Sequence, residues 1–145
     1  MDWKVEAIEK LRQYTAKRES LTIIPKQIAE VDSTLTSIRS AGITVGQSKG
    51  RSRSREDSLL DCIVQKEELQ RSLERTRLWV ENVSSGLAIL NEEERLCLER
   101  FYIQSEKYAA DRLAGDLGIE VKTVYTREDK ALRKFTVALY GVTES

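Results

Sequence analysis

The chain reads as an all-α protein, a long antiparallel helical hairpin of coiled-coil character followed by a small helix-turn-helix module. Three observations predict this. Apolar residues recur at steps of three and four along most of the 145 residues. One proline and seven glycines leave few breaks. Charged residues make up 33% of the chain and fall between the apolar positions, as on solvated helical faces. The length suits one domain, or one small domain with an extended element.

Residues 1–40 form the first arm. Ile8, Leu11 and Tyr14 mark one stripe, and Ile24, Ile28, Val31, Leu35 and Ile38 continue as a heptad seam. Pro25 lies within that seam. It removes an amide donor and crowds the preceding turn, which predicts a kink or break around residues 20–24. Residues 41–55 carry four basic and no acidic side chains without apolar periodicity, so they are expected to be a flexible basic loop. The tract Gly50-Arg51-Ser52-Arg53-Ser54-Arg55 fits either a phosphate contact or a solvated connector.

The second long helix is expected over 56–86. Leu59, Cys62, Lys66, Leu69, Leu73, Thr76, Val80, Val83, Leu87 and Leu90 step by three and four throughout, and Gly86 predicts a bend. Such a slender hairpin leaves apolar surface uncovered. A homo-oligomer through the long helices, most simply a dimer, is therefore expected.

Residues 87–145 form the terminal module. Asn91 before Glu92-Glu93-Glu94 is a helix start, with a capping side chain and acids in the first turn. Ser105-Glu106-Lys107 breaks that helix, and a short helix follows from Tyr108 to Leu117, with Ala109, Leu113, Ala114 and Leu117 inward. Small Ala114 and Gly115 would allow a close helix crossing. Gly118 suits the left-handed position that ends a helix, and Ile119 would plug the core behind it. The last helix begins near Val121, with Val124, Ala131, Leu132, Phe135 and Leu139 inward. Its other face presents Lys122, Thr123, Tyr125, Thr126, Arg127 and Lys130, with Arg133 and Lys134 one turn on. Residues 121–134 hold five basic and two acidic groups, in a module that is slightly acidic as a whole. That concentration suits a helix entering the major groove: Lys122, Tyr125, Thr126 and Arg127 toward base edges, Lys130, Arg133 and Arg112 toward phosphates. Any one of these charges alone fits a solvated face; the constellation points to duplex DNA.

Other classes are poorly served. Lysine and arginine together number 24, as do aspartate and glutamate, so no global basic excess exists and only local patches matter. Histidine is absent, and Cys62 and Cys97 lack paired spacing, so no metal site, cofactor or enzyme activity is expected. Both thiols are expected to be small buried groups in a reducing cytoplasm. Acid pairs Glu67-Glu68 and Glu93-Glu94 do not converge on one site, and Gly46-Gln47-Ser48-Lys49-Gly50 lacks the ending and preceding strand of a phosphate loop. The N-terminus is too polar for a signal peptide and no run approaches membrane-spanning length. A cytoplasmic protein is expected.

The segments Leu90-Asn91-Glu92-Glu93-Glu94-Arg95, Tyr108-Ala109-Ala110-Asp111-Arg112-Leu113-Ala114, Leu117-Gly118-Ile119, Thr123-Val124-Tyr125-Thr126-Arg127 and Lys130-Ala131-Leu132 together resemble region 4 of sigma-70 factors. The layout of the whole chain resembles the small phage and prophage late regulators of the ArpU and RinA type, which join an N-terminal helical segment to such a domain. The resemblance implies promoter DNA as ligand and RNA polymerase as a partner. Two positions depart from the family pattern. Glu120 opens the last helix where serine or threonine is usual, and Arg127-Glu128-Asp129 is wholly charged where an apolar residue is expected shortly after Val124. Two alternatives stay open, a packaging or assembly adaptor like a small terminase subunit, and a coiled coil that binds only protein.

Overall fold

The computed structural model describes residues 2–41 and 49–143, and of residues 49–53 the backbone alone. The described residues are helical and contain no strand. In order they form α1 (Trp3–Ala41), α2 (Lys49–Ala88), α3 (Glu92–Leu98) with a π-helical turn (Glu99–Ile103), α4 (Ala109–Leu117) and α5 (Val121–Tyr140). None of these helices is long and apolar enough to cross a membrane.

Three expectations about the long helices are corrected. No break occurs at Pro25, because α1 runs through it. Pro25 sits on the exposed face, where water can replace the missing amide donor, while Ile24 and Val31 stay buried. The basic loop is shorter than 41–55, since α2 already begins at Lys49. Arginine, lysine and serine sustain a helix without an apolar stripe, and Ser58 bonds back to the Ser54 carbonyl at 3.0 Å. Residues 42–48 of the expected loop lie outside the described residues. Finally, Gly86 does not end the helix, because α2 continues to Ala88. A Cβ at Gly86 would stand 2.9 Å from Phe135 Cε1 and 3.2 Å from Leu139 Cδ2, so the glycine is a notch that admits a ring from α5.

The chain divides into two compact units, Met1–Arg18 with Leu78–Ser145, and Glu19–Arg77. The first turns of α1 thus group with the end of α2 and the terminal module.

The Glu19–Arg77 unit is one helix pair. Seven residues span at most about 25 Å, too little to return along the α1 segment, so the two helices run antiparallel. Ile24, Val31 and Leu35 from α1 and Thr76 from α2 are buried, whereas Leu59, Leu69 and Leu73 are half-buried. Lys66, the charged member of the α2 stripe, reaches Asp32 at 2.7 Å. Cys62 is half-buried rather than enclosed.

The other unit buries its apolar groups more completely. Leu11, Val83, Leu98, Leu113, Val124 and Phe135 are all fully enclosed. Tyr14 Oη and Ser84 Oγ share a hydrogen bond at 2.7 Å, and the Trp3 ring stacks on Tyr140 at 4.7 Å. These contacts dock the first turns of α1 on the ends of α2 and α5.

Candidate nucleic-acid interface

The module is assembled from its caps outward. Asn91 accepts from the Glu94 amide at 2.8 Å and Glu94 Oε1 accepts from the Asn91 amide at 3.1 Å, a complete capping box. Arg95 ties α3 to the end of α2 by donating to the carbonyls of Leu87 (3.2 Å) and Leu90 (3.1 Å). Cys97, Ala110, Leu113, Ala114 and Val124 form the core between α3, α4 and α5, with Leu96, Phe101, Leu117 and Ile119 packed around it.

The joint between α3 and α4 is held by charge. Arg100, nearly buried, donates to both carboxylate oxygens of Glu106 at 2.7 and 2.9 Å and to Asp116 at 2.6 Å. Its hydrogen bond from Arg100 holds the Glu106 carboxyl down at about 2. Ser105 and Tyr108 take left-handed backbone conformations here, which non-glycine residues adopt only under tertiary constraint. At the next joint Gly118 has φ +66°, and the Ile119 amide reaches back to the Ala114 carbonyl at 3.0 Å. Ala114 is buried at the crossing, as expected. Gly115 is not: it is exposed, and a Cβ there would meet nothing within 4 Å.

Glu120 occupies the N-cap of α5 and its side chain makes no capping bond. The charged run 127–129 is resolved by position. Asp129 lies outside and pairs with Arg133, while Glu128 takes the inward place and accepts a hydrogen bond from Tyr102. Burial pushes the Glu128 carboxyl above its ordinary range, more than the Tyr102 bond lowers it. The Tyr102 hydroxyl is likewise pushed up, by burial and then by Glu128.

The candidate contact residues separate into three groups on α5. Lys122, Thr126, Lys130 and Arg133 share the outward stripe and are exposed. Thr126 Oγ1 donates to the Lys122 carbonyl at 3.1 Å, and Arg133 holds Asp129 at 3.0 Å. On one flank, toward α3, sit Thr123, Arg127 and Lys134. Arg127 pairs with Glu93, and Lys134 reaches Glu94 at 3.1 Å. Burial raises the Glu94 carboxyl, but the Asn91 amide and Lys134 outweigh it and hold the group below its usual range. On the other flank Tyr125 is exposed, its ring edge-on to Phe101 at 5.9 Å. Arg112, on α4, is exposed and bound to Glu106 at 3.1 Å.

Nine candidates therefore do not form one free patch. Among the described residues, Lys122 and Lys130 are cations of α5 with no carboxylate within ion-pair distance, whereas Arg112, Arg127, Arg133 and Lys134 each hold one. Sequence reading missed Glu93 and Glu94 as partners of α5, because nothing in local spacing announces a pair thirty-four or forty residues apart. The Asp129–Arg133 pair was legible as an i,i+4 spacing. Among the described residues no cluster of candidate metal ligands occurs. No known family, curated protein or solved structure matches this chain, so the reading of its surface rests on this geometry.

Proposed function

We propose that the protein is a sequence-specific DNA-binding regulator of transcription, of the phage late-regulator kind, that presents α5 to the major groove and oligomerises through its long helices. The observation that carries this reading is the outward stripe Lys122–Thr126–Lys130–Arg133, exposed on a helix set off from α4 by the Gly118 corner. Such a stripe pairs cations with phosphates while a hydroxyl reaches toward base edges. Promoter DNA is the ligand, RNA polymerase the partner suggested by the likeness to sigma region 4, and the cytoplasm the compartment. Catalysis has no part in it.

The flanking pairs shape the mechanism. Arg127 must exchange Glu93 for a guanine edge, so its contribution is a difference between two partners rather than a gain from free solution. The test is selection of bound duplexes from a random pool, then titration of the selected site against random duplex at several salt concentrations. Lys130→Ala should weaken both duplexes and flatten the logarithmic salt dependence by about one unit. Arg127→Ala should cost about 1–3 kcal/mol and relax preference at one base pair. A wild-type protein that binds all duplexes alike overturns the reading.

One observation favours the adaptor alternative. Four of the six candidate cations are already engaged by carboxylates, which suits weak, sequence-blind DNA contact within an assembly. The same titration separates the two, because an adaptor shows no preference for a selected site.

A further inference from the structure

α2 carries a second stripe. Leu60, Val64, Glu67, Arg71, Glu74 and Leu78 advance by four, three, four, three and four residues, and every one of them is exposed. At 3.6 residues per turn this line lies on the opposite side of α2 from the seam Leu59, Cys62, Lys66, Leu69 and Leu73 that faces α1. Leu60, Val64 and Leu78 are 60%, 50% and 53% exposed, among the most exposed large apolar side chains of the chain. A solvated face has no use for three of them at heptad spacing.

The order of residues along the stripe is self-complementary. Leu60 and Leu78 stand equidistant from position 69, and so do Glu67 and Arg71. Rotated end for end about that point, the stripe sets Leu60 against Leu78 of a second copy, and Glu67 against Arg71, each twice. A parallel pairing in register would instead oppose glutamate to glutamate and arginine to arginine, which is repulsive. Glu74, which falls opposite Val64, already has its carboxylate bound by Arg77 of its own chain at 2.8 Å. A foreign partner gives no reason for the midpoint.

We propose that the back of α2 is a dimer interface in which two copies of this chain pack antiparallel, with their dyad at the level of position 69. An isologous contact of this kind closes on itself and leaves no free complementary face, so it yields a dimer rather than a filament. The inference rests on the oligomeric role of the long helices proposed above and is independent of DNA binding.

Sedimentation equilibrium of the full chain without DNA, with helicity followed by circular dichroism, tests it. The wild type should be dimeric at micromolar concentration. Leu60→Glu with Leu78→Glu should weaken the dimer at least about 30-fold while helicity is kept. Glu67→Arg alone should weaken it roughly 3- to 10-fold, and adding Arg71→Glu should restore it, because the swapped charges still oppose one another in the rotated copy. As a second readout, Leu60→Cys copies mixed with Leu78→Cys copies should form a disulfide-linked pair, and neither should do so alone. A dimer indifferent to Leu60→Glu with Leu78→Glu and to Glu67→Arg alone overturns this interface while leaving oligomerisation through another face. A monomeric wild type overturns both, with DNA binding judged separately by titration.

Discussion

The two units of this chain are built from the same raw material, apolar residues at steps of three and four, yet they bury it to different depths. In Glu19–Arg77 the seam is two helices wide, and Leu59, Leu69 and Leu73 remain half in water. In the unit made of Met1–Arg18 and Leu78–Ser145, helices from several directions meet, and Phe135, Leu113, Val124 and Leu98 have no exposure. A third and fourth helix cover the sides that a pair leaves open. Periodicity thus tells which way a residue points; only the number of layers tells how dry it becomes.

That contrast predicts unequal costs for similar truncations. Phe135→Ala should lose about 3–5 kcal/mol of unfolding free energy, since its ring is enclosed and pressed into the Gly86 notch. Leu35→Ala, in the two-helix unit, should lose about 2 kcal/mol, the low end for leucine, because its surroundings can collapse toward solvent. Equal losses, measured by denaturant titration with a probe for each unit, would remove the distinction.

Next in size is Gly86→Ala. Alanine normally favours a helix over glycine by about 1 kcal/mol, but here its methyl would meet a ring that has no room to move. A net loss of about 1–2 kcal/mol is expected in a urea titration, against a gain if the notch is not tight. Gly115→Ala is the control in the other direction. It adds the same methyl to open space within α4 and should stabilise by about 0.5–1 kcal/mol.

A third test is acid. The folded Glu106 carboxyl titrates at about 2 against an ordinary 4.5, so its contribution is fully present above pH 4.5 and is lost as pH falls toward 2. Glu128 has the opposite sign: its folded value is raised, so the folded state prefers the protonated group and gains as pH drops through its range. From neutral pH down to 2, Glu106→Gln should therefore flatten the loss of stability below pH 4.5, whereas Glu128→Gln should remove the gain that falls above pH 4.5. Thermal melts across that range, monitored in the terminal module, read both slopes. This is the smallest effect and the sharpest discriminator between the joint at Arg100 and the interior of α5.

Much of the fold was legible because it depends on local rules. The α2 stripe from Leu59 to Leu87 faces inward at every position named, the Asn91 box forms, and Gly118 takes the left-handed turn. What escaped depends on contacts between distant residues. Pro25 broke nothing because of which face it occupies, a property that composition does not carry. Gly86 looked like punctuation because the ring that fills it arrives from α5, and Gly115 looked like a packing glycine although nothing crosses there. Glu128 resembled a surface charge until Tyr102 supplied its partner. The candidate DNA face suffered most. Residue type and spacing identified α5 as cationic, but Glu93, Glu94, Asp129 and Glu106 decide which of those cations are already engaged.

The two cysteines offer a final consequence. Cys97 is sealed in the core of the terminal module, and burial, reinforced by Glu128 and Glu94, pushes its thiol above the usual range. Cys62 is partly open in the helix pair. Each unit thus contains one native reporter, and alkylation by a small maleimide becomes a stopwatch for breathing: quick at Cys62 from the ground state, slow at Cys97 until the terminal module transiently opens. The unaltered chain can in this way time its own two halves separately.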